Sequence, residues 1–369
     1  MKIGFDAKRA LLNDTGLGVY ARNLIQSCLF YYPNHDYHLF STASKTNLES
    51  QLVGEFAIHF PEKTIDKLLP SLWRSRRIVT DLQQHKIDVF HGLSNELPFG
   101  IARLKKTKKI ATIHDVLFIS HPAQYPWIDR QIYNTKVKHT CDVADTVIAI
   151  SESSKLELIK HFKVKENKIE VVYQPCDTIF SESTAPNQLL NFRQKHQLPA
   201  RFIVQVSSFF PRKNQLNLVK AFHKIHLQIP QNLILVGGFQ SERKIVEQYV
   251  AHLKIKSRVQ FINHLSTSEL SMLYQMADLM VYPSVAEGFG IPIIEGLASN
   301  LTVLASDISC FREVGGDAIY YCNTLDIAAF SEAIRWALKN PIHSPVMQLQ
   351  LQKFEPKKLT HQLMNLYEK

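Results

Sequence analysis

Short apolar runs alternate with amphipathic helical stretches along almost the whole chain, and that alternation restricts the fold more than any other feature. In the first half Lys2–Asp6, Tyr37–Ser41, Val89–Gly92, Ile110–His114, Thr146–Ile150 and Ile169–Val172 read as strands. Helical stretches separate them at Val19–Phe30, Ile78–His85, Tyr125–Cys141 and Ser154–His161, the last with a capping pair read at Ser154-x-x-Glu157. A polar stretch, Thr178–Pro199, breaks the rhythm, which then restarts with strands at Phe202–Val206, Asn232–Val236, Val259–Phe261, Leu279–Tyr282 and Thr302–Ser306. Repeated βα units of this kind make parallel sheets covered by helices on both faces. The expected architecture is α/β, with two doubly wound Rossmann-like domains. The expected boundaries are 1–180, a linker over 181–199, a second domain over 200–345 and a helical tail over 346–369 interrupted at Pro356. That tail is expected to pack across the domain junction. Ligands of such sheets bind beyond the carboxyl ends of the strands, so motifs there weigh most.

The length of 369 residues suits two cores better than one. A net charge of +10 favours acidic partners such as phosphorylated small molecules or anionic lipid. Nucleic acid is not expected, because no recognised binding module accompanies the charge. Five cysteines without C-x-x-C spacing fit a reducing compartment better than a disulfide framework or a zinc site. No stretch is long and apolar enough to span a membrane, so the expected location is cytoplasmic, with surface contact through basic clusters at Arg74, Arg76, Arg77 and at Arg103, Lys105, Lys106, Lys108, Lys109.

Three motifs follow expected strands closely, and a fourth stands at the start of an expected helix. Glu287-Gly288-Phe289-Gly290-Ile291-Pro292-Ile293-Ile294-Glu295 follows an apolar strand and places two carboxylates around a glycine loop and a helix N-terminus. Amide groups at such a terminus favour anions. Arg212-Lys213-Asn214 follows strand 202–206, and its adjacent cations suit a diphosphate, Arg as a fork and Lys as a point charge. His114-Asp115 ends strand 110–114, where imidazole can donate to a hydroxyl or carry charge near a phosphate. The alternative reading there is an Asp capping a turn beside a packed His. Gly16-Leu17-Gly18-Val19-Tyr20-Ala21 fits G-x-G-x-x-A, but about nine residues separate it from the preceding strand, which is the wrong context for a dinucleotide site. Its glycines are read as letting a loop approach a phosphate or sugar at the start of helix 19–30.

Taken together, Asp6 with Gly16-x-Gly18, His114-Asp115, Ala149-Ile150-Ser151-Glu152, Arg212-Lys213-Asn214, Val236-Gly237-Gly238 and Glu287-x7-Glu295 resemble, in order, the retaining glycosyltransferases of family 4 with the GT-B fold. The opening Gly4-Phe5-Asp6-Ala7 with Thr15-Gly16-Leu17-Gly18 is similar to bacterial polysaccharide mannosyltransferases. The resemblance implies two domains facing across a cleft and an enzyme moving a hexosyl group, mannose favoured, from GDP-mannose or a UDP-sugar to a glycan or lipid-linked glycan. By the same resemblance Arg212 and Lys213 hold the donor diphosphate, Glu295 the ribose and Glu287 the transferred sugar. Gly288, Phe289 and Gly290 would line the sugar-phosphate site, Gly16 and Gly18 would approach the donor, His114 would contact the sugar, Gly238 would join the donor site and His264 would lie near the base. His114, Asp115, Glu287, Arg212 and Lys213 are the expected catalytic group. No cofactor and no metal are expected, there being no Asp-x-Asp. Ser207, Asn263 and Tyr173-Gln174-Pro175-Cys176-Asp177 depart from the family pattern. The rival readings are a nucleotide-sugar epimerase and a non-catalytic sugar-binding protein of the same fold.

Overall fold

The structure is a computed structural model and describes every residue apart from Asp14, Phe239, Gln240 and His343, together with the side chains of Thr46 and Ser241. It divides into two compact units, Met1–Pro175 with Glu355–Lys369, and Cys176–Phe354. The first holds seven parallel strands: β1 Lys2–Asp6, β2 Asp36–Phe40, β3 Ala57–His59, β4 Val89–Gly92, β5 Lys108–Ile113, β6 Thr146–Ala149 and β7 Ile169–Val171. Their order across the sheet is β3-β2-β1-β4-β5-β6-β7. The second unit holds β8 Phe202–Val206, β9 Asn232–Val236, β10 Val259–Ile262, β11 Leu279–Tyr282, β12 Val303–Ser306 and β13 Tyr320–Cys322. Their order is β10-β9-β8-β11-β12-β13. Each sheet therefore reverses direction once, between β1 and β4 and between β8 and β11, which makes the switch points where open α/β sheets bind ligands.

Burial explains why the strands read as continuous apolar runs. In β6, Ile148 points into one core with Ile3, Phe5 and Ile110, while Val147 and Ala149 point into the other with Ala111 and Ile113. A strand covered on both faces has no polar side to show. The short, half-exposed edge strand β3 lacks this signature and was not read from the sequence; nor were β13 and the helix Ser309–Gly315.

Three expectations are revised. The first domain helix after β6 spans Glu152–Phe162 and is capped by Ser151, whose hydroxyl accepts from the Ser154 amide, so Ser154 lies inside the helix and does not cap it. The pair at Ser266 and Glu269 is a complete capping box, as its spacing predicts. The stretch 181–199 is bonded into the second unit: its helix Pro186–His196 pairs Lys195 with Glu269 at 2.6 Å, and the Thr184 amide donates to Gln275. The tail divides at Pro356, with Ser344–Leu351 in the second unit and Pro356–Glu368 in the first. Proline fits the first turn of that last helix because its missing N–H has no partner there.

The last helix completes the first core. Leu363, Met364, Leu366 and Tyr367 are buried beside Ile25, Cys28 and Phe5. The Tyr367 hydroxyl lies 2.6 Å from Nδ1 of His91, whose Nε2 lies 2.8 Å from the Thr112 hydroxyl, itself 3.1 Å from that of Tyr20. Burial lowers the His91 pKa to about 3, so the ring is neutral and one of its nitrogens donates while the other accepts. Tyr367→Phe leaves Nδ1 without this partner in an apolar core. It is expected to destabilise the first unit by about 1–3 kcal/mol, read as a lowered urea midpoint with an unchanged slope.

Candidate active site

The second unit's site is built where the sheet reverses. The chain leaves β8, runs through Ser207–Phe210 and makes a tight turn at Pro211–Lys213. Asn214 then adopts a left-handed conformation, φ 59°, from which helix Gln215–Ile225 starts. Asparagine tolerates that conformation better than most residues. On the other side of the switch point, β11 ends at Tyr282 and the loop to helix Ile291–Ala298 carries Glu287. A backbone bond from the Val285 amide to the Arg212 carbonyl, 2.8 Å, sews the two loops together.

Glu287 lies between the two cations. Arg212 Nη1 donates to Oε2 at 2.6 Å and to the Ala286 carbonyl at 3.1 Å, while Lys213 pairs with Oε1. The Tyr282 hydroxyl is 3.1 Å from both that carboxylate oxygen and the lysine nitrogen. Burial by itself raises the Glu287 pKa; the Lys213 and Arg212 charges outweigh it and hold the carboxyl below its ordinary value. Arg212 and Lys213 thus share Glu287 as a common counter-ion.

The loop and helix that follow are shaped by packing. Phe289 is buried, its ring against Phe354 at 5.8 Å. Gly290 takes φ 128°, and a Cβ there would meet Phe311 and Ile293 at 3.1 and 3.2 Å, so this turn requires glycine. Glu295, one helical turn on, accepts a hydrogen bond from the Tyr274 hydroxyl at 3.2 Å. Burial raises its pKa to about 7. The two carboxylates of the motif therefore sit in opposite environments, Glu287 beside two cations and Glu295 buried with a hydroxyl donor and another carboxylate, Asp177, nearby.

Gly237 follows β9, and a Cβ there would lie 2.1 Å from the Ser207 carbonyl; Gly238 has open space around it. Arg243, which the sequence reading passed over, ties this edge together. Its guanidinium donates to the Gly237 carbonyl at 2.9 Å and to Asn263 at 2.5 Å, lying over the rings of Phe209 and Phe261. A lone Arg in a helix gives no signal in sequence. His264, next to Asn263, is exposed.

In the first unit, His114 is buried at the end of β5. Its Nε2 faces the Leu93 carbonyl at 2.9 Å, and the Tyr20 ring meets it edge-on at 4.6 Å. The carbonyl requires a proton on Nε2, which leaves Nδ1 as an acceptor. Burial lowers the pKa to about 4. Burial thus opposes a charged imidazole, one of the two roles expected from the sequence, and the Leu93 carbonyl occupies the donor needed for the other. Asp115 accepts from the Leu117 amide at 3.1 Å, capping the turn. Helix Gly16–Tyr31 begins at Gly16, so both glycines lie in its first turn and not in a preceding loop. Gly18 is required by packing, since a Cβ would fall 1.8 Å from the Asn13 carbonyl, whereas Gly16 has nothing within 4 Å.

One cation leaves the surface patch altogether. Arg74, in a π-helical turn at Trp73–Arg77, bridges Asp6 at the end of β1 and Glu96 beyond β4, with Nε donating to Asp6 at 3.0 Å. Lys136 adds a 2.6 Å contact to Glu96. The sequence showed three nearby arginines; only the fold shows that one is drawn inside by two carboxylates at the first switch point.

With this geometry in view, the similarities are consistent. A family model described as Glycosyltransferase Family 4 matches residues 15–180, and one described as Glycosyl transferases group 1 matches 188–353. The O-antigen chain mannosyltransferase B of Escherichia coli is 25% identical over 92% of this chain and 91% of its own length. The O-antigen chain mannosyltransferase RfbU of Salmonella typhimurium is 31% identical over 61% of this chain and 59% of its own. Among solved structures, Anabaena HepE in complex with UDP and glucose superposes with a TM-score of 0.77, 20% identity and coverage of 100% of this chain and 99% of that one. WaaG, a glycosyltransferase involved in lipopolysaccharide biosynthesis, does so with a TM-score of 0.73 and 16% identity over 100% and 99%. These last two speak to the fold, which is GT-B.

Glu295 yields a pH prediction. Its folded pKa of about 7 exceeds the ordinary 4.5, so the folded state holds a proton that the unfolded state has released across that window. Stability from this group is present at low pH and lost as pH rises through 7. Raising the pH from 6 to 8 should cost the wild-type second unit about 1 kcal/mol that Glu295→Gln does not lose, measured by urea denaturation at the two pH values. The two halves of the chain are matched in turn by the two models, so the chain carries a Glycosyltransferase Family 4 domain followed by a Glycosyl transferases group 1 domain.

Proposed function

We propose that the protein transfers a mannosyl group, with retention, from a nucleoside-diphosphate sugar to a glycan or lipid-linked glycan during cell-surface polysaccharide synthesis. The observation that carries the reading is the Arg212–Glu287–Lys213 cluster, two cations held by one carboxylate at a switch point. Departure of a diphosphate from an oxocarbenium-like centre builds negative charge. Fixed cations that need not reorganise lower that barrier by several kcal/mol. Glu287 keeps both cations in register and then offers an oxygen to a sugar hydroxyl. Glu295 takes the ribose, for which it must be the acceptor carboxylate, and His114 accepts a sugar hydroxyl through Nδ1. Retention follows from attack on the face the phosphate leaves, with the phosphate taking the acceptor proton. Mannose is supported by the names of the bacterial relatives, which also point to O-antigen as the product class.

Lys213→Ala and Glu287→Ala should each lower transfer from GDP-mannose by roughly a hundredfold or more, measured as radiolabelled mannose in a lipid-linked product. Full activity in both variants sinks the site. An epimer of the donor, in place of a transfer product, sinks the reaction. Stabilisation in a thermal-shift series by UDP but not by GDP would rule out mannose.

A cytoplasmic enzyme working on a lipid-linked acceptor would meet the membrane from the inner side. Among the described residues no helix is long and apolar enough to cross it. Arg76, Arg103, Lys105 and Lys106 are exposed, and we assign the contact to them. Sedimentation with phosphatidylglycerol vesicles should be lost when Arg103, Lys105 and Lys106 are changed together to Ala; equal binding by that variant refutes the assignment.

A further inference from the structure

Three histidines from distant parts of the sequence meet at the edge of the first sheet. His38 lies on β2, His59 ends β3 and His85 follows helix Ile78–Gln84. One ring nitrogen from each lies within 4.8 Å of the others. His38 Nδ1 is 2.8 Å from His59 Nε2, and the His59 and His85 ring centroids are 4.1 Å apart. None of the three belongs to the loops after β1, β4 or β5, where the first unit's candidate residues lie.

Two further observations separate this group from a chance cluster. The His38 side chain is only 8% exposed, yet its Nε2 makes no aligned hydrogen bond. That nitrogen lies 3.2 Å from Oδ1 of Asp36, a half-exposed carboxylate. A carboxylate behind one imidazole nitrogen favours the proton there and leaves the other nitrogen with its lone pair, the arrangement that orients histidine toward a metal ion. Here the other nitrogen is Nδ1, which points into the cluster. The second observation is the place. β3 is three residues long and pairs with the rest of the sheet on one side only. A bond through an ion would tie this weak edge to β2 and to the helix end.

We infer that His38, His59 and His85 form a three-imidazole site for a divalent transition metal ion, with zinc as the expected occupant, which clamps strand β3 to the first sheet. Three neutral imidazoles suit zinc, nickel and copper and do not suit magnesium or calcium. Metal–nitrogen bonds of about 2.0–2.1 Å require the rings to turn so that their lone pairs converge. The proton now shared between His38 and His59 then moves to the outer nitrogen of its ring. The two half-exposed rings, His59 and His85, leave a side open to water for the fourth position. The site is independent of sugar transfer, so its test does not depend on that reading.

The test uses the full chain without a histidine tag, stripped with EDTA and titrated at pH 7.5 with Co²⁺ and then Zn²⁺. The expected result is one equivalent of Co²⁺ with the visible absorption of four-coordinate cobalt, displaced by Zn²⁺. Zn²⁺ should also raise the melting temperature by about 3 °C or more. His59→Gln and His85→Gln, at partly buried positions, should each weaken binding roughly tenfold or more, as should Asp36→Asn, whose carboxylate contacts His38 and not the ion. His223→Gln, in the stacked pair His223–His226 of the second unit, should bind as wild type. Absence of saturable binding by the wild type at micromolar metal overturns the site. So does an affinity unchanged in His59→Gln and His85→Gln, or lost in His223→Gln.

Discussion

The ion cluster of Arg212, Lys213 and Glu287 is the constraint on which the second unit's organisation depends. Lys213 is almost fully buried, with a fractional exposure of 8%. A buried ammonium is tolerated only when paired and hydrogen-bonded. Glu287 and the Tyr282 hydroxyl meet that demand, and in doing so they bring the loop after β8 against the loop after β11. The Val285–Arg212 backbone bond, the tight turn at Gly290 and the seat of Phe289 follow from that approach. A stiff electrostatic cluster at a switch point is expensive to assemble, and its stiffness is what makes it useful to a reaction that builds charge on a leaving group.

The first unit also carries an ion cluster at its switch point, here with a cation between two carboxylates. Arg74 sits between Asp6 and Glu96 across the gap between β1 and β4, and Lys136 completes the network. Desolvation opposes the charge on Arg74, and the two carboxylates more than restore it, so its pKa rises. The same sheet order, with the same reversal, thus places a buried ion cluster at each switch point, one with two cations sharing a carboxylate and the other with two carboxylates facing two cations. His114 stands near the second of these as a neutral acceptor, because burial outweighs any gain from charging it.

Much of the fold was legible in the chain because parallel strands covered on both faces must be apolar throughout, and their ends must fall where that run stops. β1, β4, β8, β9 and β11 begin and end where the apolar runs do. The edge strands β3 and β13, three residues each and not fully buried, give too short an apolar run and escaped notice. Capping was legible when the complete box was present, as at Ser266 and Glu269. It was misplaced at Ser151–Ser154, where several adjacent serines offer the same signal and only the backbone decides which one flanks the helix.

For the site, residue types and order along the chain determined that cations and carboxylates stand at strand ends beside glycine turns, and that the whole set resembles family 4 glycosyltransferases. Tertiary structure alone decided how those groups pair. It made Glu287 the counter-ion of Arg212 and Lys213 and buried Glu295 against the Tyr274 hydroxyl, although the two are equal in sequence. It also turned His114 into an acceptor, drew Arg74 inside and gathered His38, His59 and His85. The physical reason is common to all of these. A side chain's charge and hydrogen-bonding state depend on burial and on neighbours brought from elsewhere in the chain, and neither is written in local sequence.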